Sequence, residues 1–282
     1  MSYSPVVPFG GYSGWKILNR TMETQKAAYV ASADVKSDAQ YFRENIGKID
    51  TAEQLVADRR LLKVALGAFG LQDDIDNKFF IKKVLSDGTL DNGDLANKLS
   101  NKSYLAMAQA FGFGDYKTPS TKLSDFADTI LKKYETQSFE VAVGENNESF
   151  RLAMYAQREI PALAQKDMSE NAKWYSIIGS GPMSTVMRSA LGLPSSVGAL
   201  DVDKQLDIYK TKAKEFFGTS DPAKFANTEG MDKMVKMYLL RSDLDGTSTY
   251  SGGSAALSLL QGTAGGSAFS SDGGASILSL LV

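Results

Sequence analysis

The sequence predicts an all-α fold, a multihelical bundle followed by a Gly/Ser-rich C-terminal tail. Three observations carry this. Apolar residues recur three and four positions apart through much of residues 15–244, which puts them on one face of a helix. The pattern Ala-(Phe/Leu)-Gly-(Leu/Phe) occurs at Ala68-Phe69-Gly70-Leu71, Ala110-Phe111-Gly112-Phe113 and Ala190-Leu191-Gly192-Leu193. Each copy follows an amphipathic run, and its glycine supplies the left-handed residue that closes a helix. Few β-branched runs alternate with period two, so no strand is predicted.

Taken in order, residues 1–14 read as an irregular arm because of Pro5, Pro8, Gly10, Gly11 and Gly14. A helix is predicted over residues 15–46. Its polar middle carries only Met22, Tyr29 and Tyr41 as large apolar groups, a thin stripe that suits a surface or a partner. Thr51 and Gln54 have the spacing of a capping box. They open a run with Leu55, Leu62, Leu66 and Phe69 that closes at Gly70, where Leu71 can fold back on Leu66. Asp73-Asp74 starts the next helix, with Ile75, Phe79, Val84 and Leu85 inward. A short helix over residues 95–99 leads to the run closed by Gly112. Pro119-Ser120 introduces a long helix over residues 122–143, with Phe126, Ile130, Leu131 and Tyr134 inward. Helices over 150–163 and 171–178 follow. Pro182 suits the first turn of the helix closed by Gly192, and helices over 201–217 and 228–241 complete the body.

Two stretches match in kind. Leu66-Gly67 precedes Asp74-Ile75-Asp76, and Leu191-Gly192 precedes Asp201-Val202-Asp203. One reading divides the domain into related halves, 15–118 and 119–244. The other is convergent cap chemistry, since true repeats match over longer stretches. From residue 245 the composition turns to Gly, Ser and Ala. Two Leu-rich pieces interrupt it, carrying Leu257, Leu259 and Leu260 in one and Ile277, Leu278, Leu280 and Leu281 in the other. A plain linker has no need of them, so these residues are predicted to bind a partner, the alternative being a tail that folds back into a groove of its own helical body.

Composition limits the chemistry. The 282 residues include no Cys and no His. Thiol nucleophiles, disulfides, zinc-thiolate sites and a Ser-His-Asp triad are therefore excluded. A net charge of -2 gives no electrostatic footprint for nucleic acid. The first residues lack the charged and apolar regions of a Sec-type signal, and the longest apolar run is too short to span a bilayer. The protein is expected in the cytoplasm, or exported without a cleaved signal.

The candidate motifs weaken on inspection. Asp87-Gly88-Thr89-Leu90-Asp91-Asn92-Gly93-Asp94 lacks the alternate ligands and closing Glu of a calcium loop. Gly179-Ser180-Gly181 has neither a preceding strand nor the Lys-Ser/Thr pair of a phosphate loop. Arg59, Arg60, Arg151, Arg158 and Arg188 stand beside apolar faces and read as helix-to-helix ties. No carboxylate pair is singled out for hydrolysis. No catalytic residue, metal site or cofactor is assigned.

Several runs resemble a known family. They are Phe42-Arg43-Glu44-Asn45-Ile46, Asp58-Arg59-Arg60-Leu61-Leu62, Ala65 to Leu71, and Phe79-Phe80-Ile81-Lys82-Lys83-Val84-Leu85. Phe139 to Gly144, Arg151 to Tyr155, Trp174-Tyr175 and Ala190 to Pro194 extend the likeness. Together they resemble a bacterial multihelical family of unknown function whose members are often encoded among flagellar genes. The resemblance implies a multihelical fold and a part in building the flagellum, with flagellar or export components as protein partners. The leading expectation is a non-enzymatic structural or assembly protein. A cytoplasmic helical binding module or export chaperone is the alternative, and a carboxylate hydrolase comes third.

Overall fold

The computed structural model describes residues 3–7 and 9–248, with side chains as far as residue 244. Among them every regular element is a helix. Contacts divide the chain into a unit of Met1–Ser242 and a second of Asp243–Val282.

The first departures from expectation are helix breaks. The helix expected over 15–46 is two, α1 (Gly11–Val30) and α2 (Ala33–Asn45). Ser32 lies between them in extended backbone, φ -63° and ψ 150°. Serine is among the residues favoured at a helix entrance, although the Ser32 side chain makes no cap hydrogen bond here. The start at Gly11 also takes four residues from the expected arm. The next run breaks too, into α3 (Ala52–Ala57) and α4 (Arg59–Gly67). Thr51 accepts a hydrogen bond from the Gln54 amide, and the Gln54 side chain accepts from the Asp50 amide at 2.7 Å. Asp58 makes the break: its carboxylate accepts from the Arg60 and Leu61 amides at 2.9 and 3.0 Å.

Gly70 has φ +70°, and the Leu71 amide donates to the Leu66 carbonyl at 2.9 Å. This is the six-residue closure that a left-handed glycine allows. Gly192 does the same, with Leu193 donating to Arg188 at 2.9 Å. Gly112 closes with a shorter loop, its own amide donating to Ala108 at 2.8 Å. Helix α5 (Lys78–Asp87) begins later than expected, because Asp73 and Asp74 lie in a 3-10 turn. Val84 and Leu85 are buried as expected, with Ile81 beside them, whereas Phe79, expected inward, is 81% exposed. Helices α6 (Leu95–Lys98) and α7 (Lys102–Phe111) follow.

The rest of the body comprises α8 (Phe126–Gly144), α9 (Glu148–Ala164), α10 (Glu170–Gly179), α11 (Gly181–Leu191), α12 (Val202–Phe217), α13 (Pro222–Phe225) and α14 (Thr228–Ser248). The one-turn helix α13 has no counterpart in the sequence reading. Arg241 of α14 donates to the Ser189 and Ala190 carbonyls. A cation over the last carbonyls of α11 also suits the negative end of that helix.

Apolar side chains form two cores. One draws on α2 to α7 and the first half of α8, with Phe42, Leu62, Leu66, Phe111, Phe126, Ile130 and Tyr134. The other takes Trp15 and Leu18 from α1, Phe139 and Val143 from the second half of α8, and residues of α9 to α14. Tyr29 packs against both. The division thus runs through the middle of α8. The two stretches matched in sequence differ locally: Asp201 caps α12, whereas Asp74 lies in the turn before α5.

Gly67 sits inside α4, where a β-carbon would lie 2.9 Å from two ring atoms of Tyr134. Gly70 has room, with its nearest neighbour at 3.6 Å, but a positive φ. Gly70→Ala is expected to cost about 1 kcal/mol through left-handed strain. Gly67→Ala should cost about 1–3 kcal/mol through overpacking. Urea unfolding midpoints read both, and a harmless Gly67→Ala would mean that Tyr134 is free to move off α4.

Candidate functional site

Helices α1, α2, α4 and α8 meet around a cleft of about 200 Å³. Its apolar lining includes Val35, Val141 and Ala142, and its aromatic walls are Tyr29 and Tyr134. Gly67 lets the Tyr134 ring lie against the α4 backbone. Burial pushes both phenols above their ordinary range, and for Tyr134 the Asp38 charge adds to it. Both therefore keep their protons at neutral pH.

Asp38 is the charged centre of this wall, with a side chain only 13% exposed. It takes Lys63 at 2.6 Å and Arg60 at 3.6 Å. Arg60 in turn stacks on the Tyr41 ring at 4.0 Å. Gln72 closes the far side. Its Nε2 donates to Asp73, while its Oε1 is shut off from solvent with no protein donor. Asp34 and Glu145 also line the cleft and are exposed.

A second charged group lies on the other side of α8. Glu140 is 3% exposed and receives Arg158 of α9 through two bonds, Nε at 2.9 Å and the other guanidinium nitrogen at 3.1 Å. Arg158 also pairs with Glu159. Burial pushes the Glu140 carboxyl above its ordinary 4.5, and the Arg158 guanidinium pulls it only part of the way back. This group ties α8 to α9 and does not line the cleft described above.

Other motifs are spent on the protein's own backbone or charges. In the acidic loop Asp87 accepts from the Leu95 amide, Asp91 from Gly93 and Asp94 from Asp91. Asp115 takes the Thr89 amide and hydroxyl at 2.6 and 2.8 Å. Among the described residues no group of three acidic side chains is placed to hold a metal. Ser180 caps α11 through the Met183 amide, an interhelical turn. Arg59 pairs with Asp76 and Arg151 with Glu148. Gly70, Gly112 and Gly192 stand at three separate helix ends and form no common site. The tail residues Leu257, Leu259, Leu260, Ile277, Leu278, Leu280 and Leu281 lie outside the described residues.

The cleft was not legible in the sequence. Asp38 and Lys63 are 25 positions apart, and Tyr134 lies far beyond both. One local signal existed: a glycine inside an apolar helix, Gly67, marks a close approach by something bulky.

The pattern of the family described as protein of unknown function (DUF1217) matches residues 68–225, more than half of the chain. This chain belongs to the DUF1217 family. The DUF1217 match begins just after α4, so the cleft joins both parts. Gln72, Tyr134, Ser138, Val141, Ala142 and Glu145 fall within it, and Tyr29, Asp34, Val35, Asp38, Lys63 and Gly67 precede it. A crystal structure of a protein from Agrobacterium tumefaciens is similar over 83% of this chain and 97% of its own, at 25% identity and a TM-score of 0.65. The likeness therefore extends well beyond the DUF1217 match. No curated protein matches the chain.

The Glu140 site makes stability depend on pH. Its raised pKa means that the folded state holds this proton more tightly than the unfolded state. The contribution is full below the ordinary carboxylate value and is lost as pH rises through the folded one. Relative to Glu140→Gln, the wild-type protein should gain stability as pH falls from 7 towards 4.5. Urea unfolding of both proteins across that range checks it, and a wild-type advantage that shrinks over it would reverse the sign.

Proposed function

We propose that this protein is a non-enzymatic structural or assembly component of the bacterial flagellum that works through contacts with other proteins. The observation that carries the reading is the tail sequence. Two copies of a Gly-Gly-led, Leu-rich piece, 252–260 and 273–281, sit in a Gly/Ser/Ala-rich stretch. Each offers three or four aliphatic side chains, and burying one is worth about 1.5–3 kcal/mol. Ordering each residue costs about 1–2 kcal/mol of chain entropy. The two terms nearly offset for a single copy. Docking is then marginal for an isolated protein and firm where many copies assemble.

The flagellar setting is supported by the resemblance of residues 42–194 to a family often encoded among flagellar genes. The balanced net charge of -2 also favours protein contacts over nucleic acid. The helical body supplies a scaffold whose charged motifs are largely engaged with one another.

Truncation before Ser251 tests the reading in the organism that makes the protein. The truncated chain should keep its helical circular dichroism and lose its co-purification with flagella or its secretion. Retained association would contradict the proposal. Detection of the intact protein only in the cytoplasm would favour a binding module or export chaperone.

A further inference from the structure

The chain folds back on itself before its first helix. A β-carbon on Gly14 would lie 1.9 Å from the Phe9 carbonyl oxygen, so the Phe9 backbone crosses α1 at that glycine. Further along α1, Gln25 holds Val6. Its Oε1 accepts from the Val6 amide at 2.7 Å. Its Nε2 donates to the Val6 carbonyl at 3.2 Å and to the Thr21 hydroxyl at 2.9 Å. Gly14, Leu18, Thr21 and Gln25 follow helical spacing and share one face of α1. The first residues therefore run opposite to α1, over a seat built on that face.

The seat reads backbone more than side chain. Gln25 is 8% exposed and spends its whole amide on Val6 and Thr21, whereas Val6 itself is 62% exposed. A buried amide is costly to leave unpaired, so the seat needs an occupant. Pro5 is buried, and Val7 packs against the core that holds Trp15 and Leu18. The seat thus takes a short non-helical segment of the form Pro-any-Val. None of these contacts requires the segment to belong to the same chain.

What keeps the segment in its own chain is a turn at glycine. Gly11 has φ +72°, a left-handed conformation that other residues adopt at a cost. Gly10 beside it is exposed, and neither residue has a β-carbon to restrict an alternative path. Apolar groups border the seat: Phe9 is 52% exposed, and Ile17, one turn beyond Gly14, is 38% exposed. A second copy delivered with its arm would cover them. A foreign partner must supply the Pro-any-Val form, and a second copy carries it by construction.

We propose that residues 3–7 are an exchangeable arm, which in crowded protein leaves its own seat and fills the same seat on a neighbouring copy, with Gly10 and Gly11 as the hinge. The exchanged arm remakes the contacts it left, which is why swapping an identical element is a low-cost route to association. A tethered arm competes at a local concentration on the order of millimolar. Dilute molecules therefore stay closed, and crowded ones exchange. The inference goes beyond the proposed function, because it concerns contacts between copies and uses neither the tail nor the flagellar setting.

The chain has no cysteine, so introduced thiols are the only ones present. Ala28 is exposed and lies one turn beyond Gln25. Full-length Val6→Cys protein is mixed with tagged full-length Ala28→Cys protein, incubated over a range of concentrations and joined with a short bismaleimide. Val6→Cys mixed with Phe79→Cys, whose thiol sits on α5 in the other core, measures chance collisions. The covalent heterodimer should exceed that control and rise with concentration, and an excess of a peptide spanning residues 1–9 should suppress it. Gly11→Ala, placed in both proteins, strains only the closed turn. It should raise the heterodimer about five- to tenfold at a fixed concentration, with helical circular dichroism as the folding control. A heterodimer no higher than the collision control overturns the proposal, and so does one that Gly11→Ala leaves unchanged or lowers. Peptide suppression needs no hinge variant: a heterodimer that survives excess peptide overturns the proposal even if Gly11→Ala does not fold.

Discussion

One helix has to satisfy two cores. The first half of α8 gives Phe126, Ile130, Leu131 and Tyr134 to the core built from α2 to α7. The second half gives Phe139 and Val143 to the core completed by α1 and α9 to α14. Each of these side chains is at most 5% exposed. A fully buried large apolar side chain is worth about 1.5–3 kcal/mol, whereas the exposed ion pairs around it contribute about 0–1 kcal/mol each. The arrangement therefore depends on α8 staying helical from end to end, and on neighbours that can approach it closely. Gly67 makes one such close approach, against Tyr134.

The cleft follows from that constraint. Where the buried face of α8 passes from one core to the other, Ser138, Val141 and Ala142 are too small to fill the space between α1 and α2. The break at Ser32 turns the chain there and brings Tyr29 and Asp38 to the same wall. Asp38, Lys63 and Arg60 then form a paired polar cluster at the seam, on the same cleft as Gln72, whose buried oxygen has no protein donor. A junction between two packed cores is where concave, partly polar surface is expected.

Much of the fold was legible because helix ends are written in local chemistry. Glycines at 70, 112 and 192 adopt positive φ at helix ends, and Thr51, Asp201 and Ser180 cap the helices that follow them. The all-α class and the inward face of α8 follow from spacing alone. The break at Ser32 lies in a polar stretch with few apolar positions to mark a helix end, and the break at Asp58 lies in a run whose apolar period continues across it. Tertiary partners decide such breaks: Asp58 also accepts the Tyr41 hydroxyl, at 2.7 Å. The start of α5 was misplaced because Asp73 and Asp74 look like a helix entrance but serve a turn, Asp74 taking the Tyr104 hydroxyl. The cleft stayed hidden because its parts run from Tyr29 to Glu145, and no local rule joins Asp38 to Tyr134.

The central structural claim is that α8 couples the two cores. Native-state hydrogen exchange under increasing urea reads it most directly. Amides of α8 near Leu131 and near Val143 should exchange only through the same global opening, with one free energy and one urea dependence. If the two halves of α8 exchange through separate openings of different free energy, the cores are independent and α8 is a connector rather than a shared element.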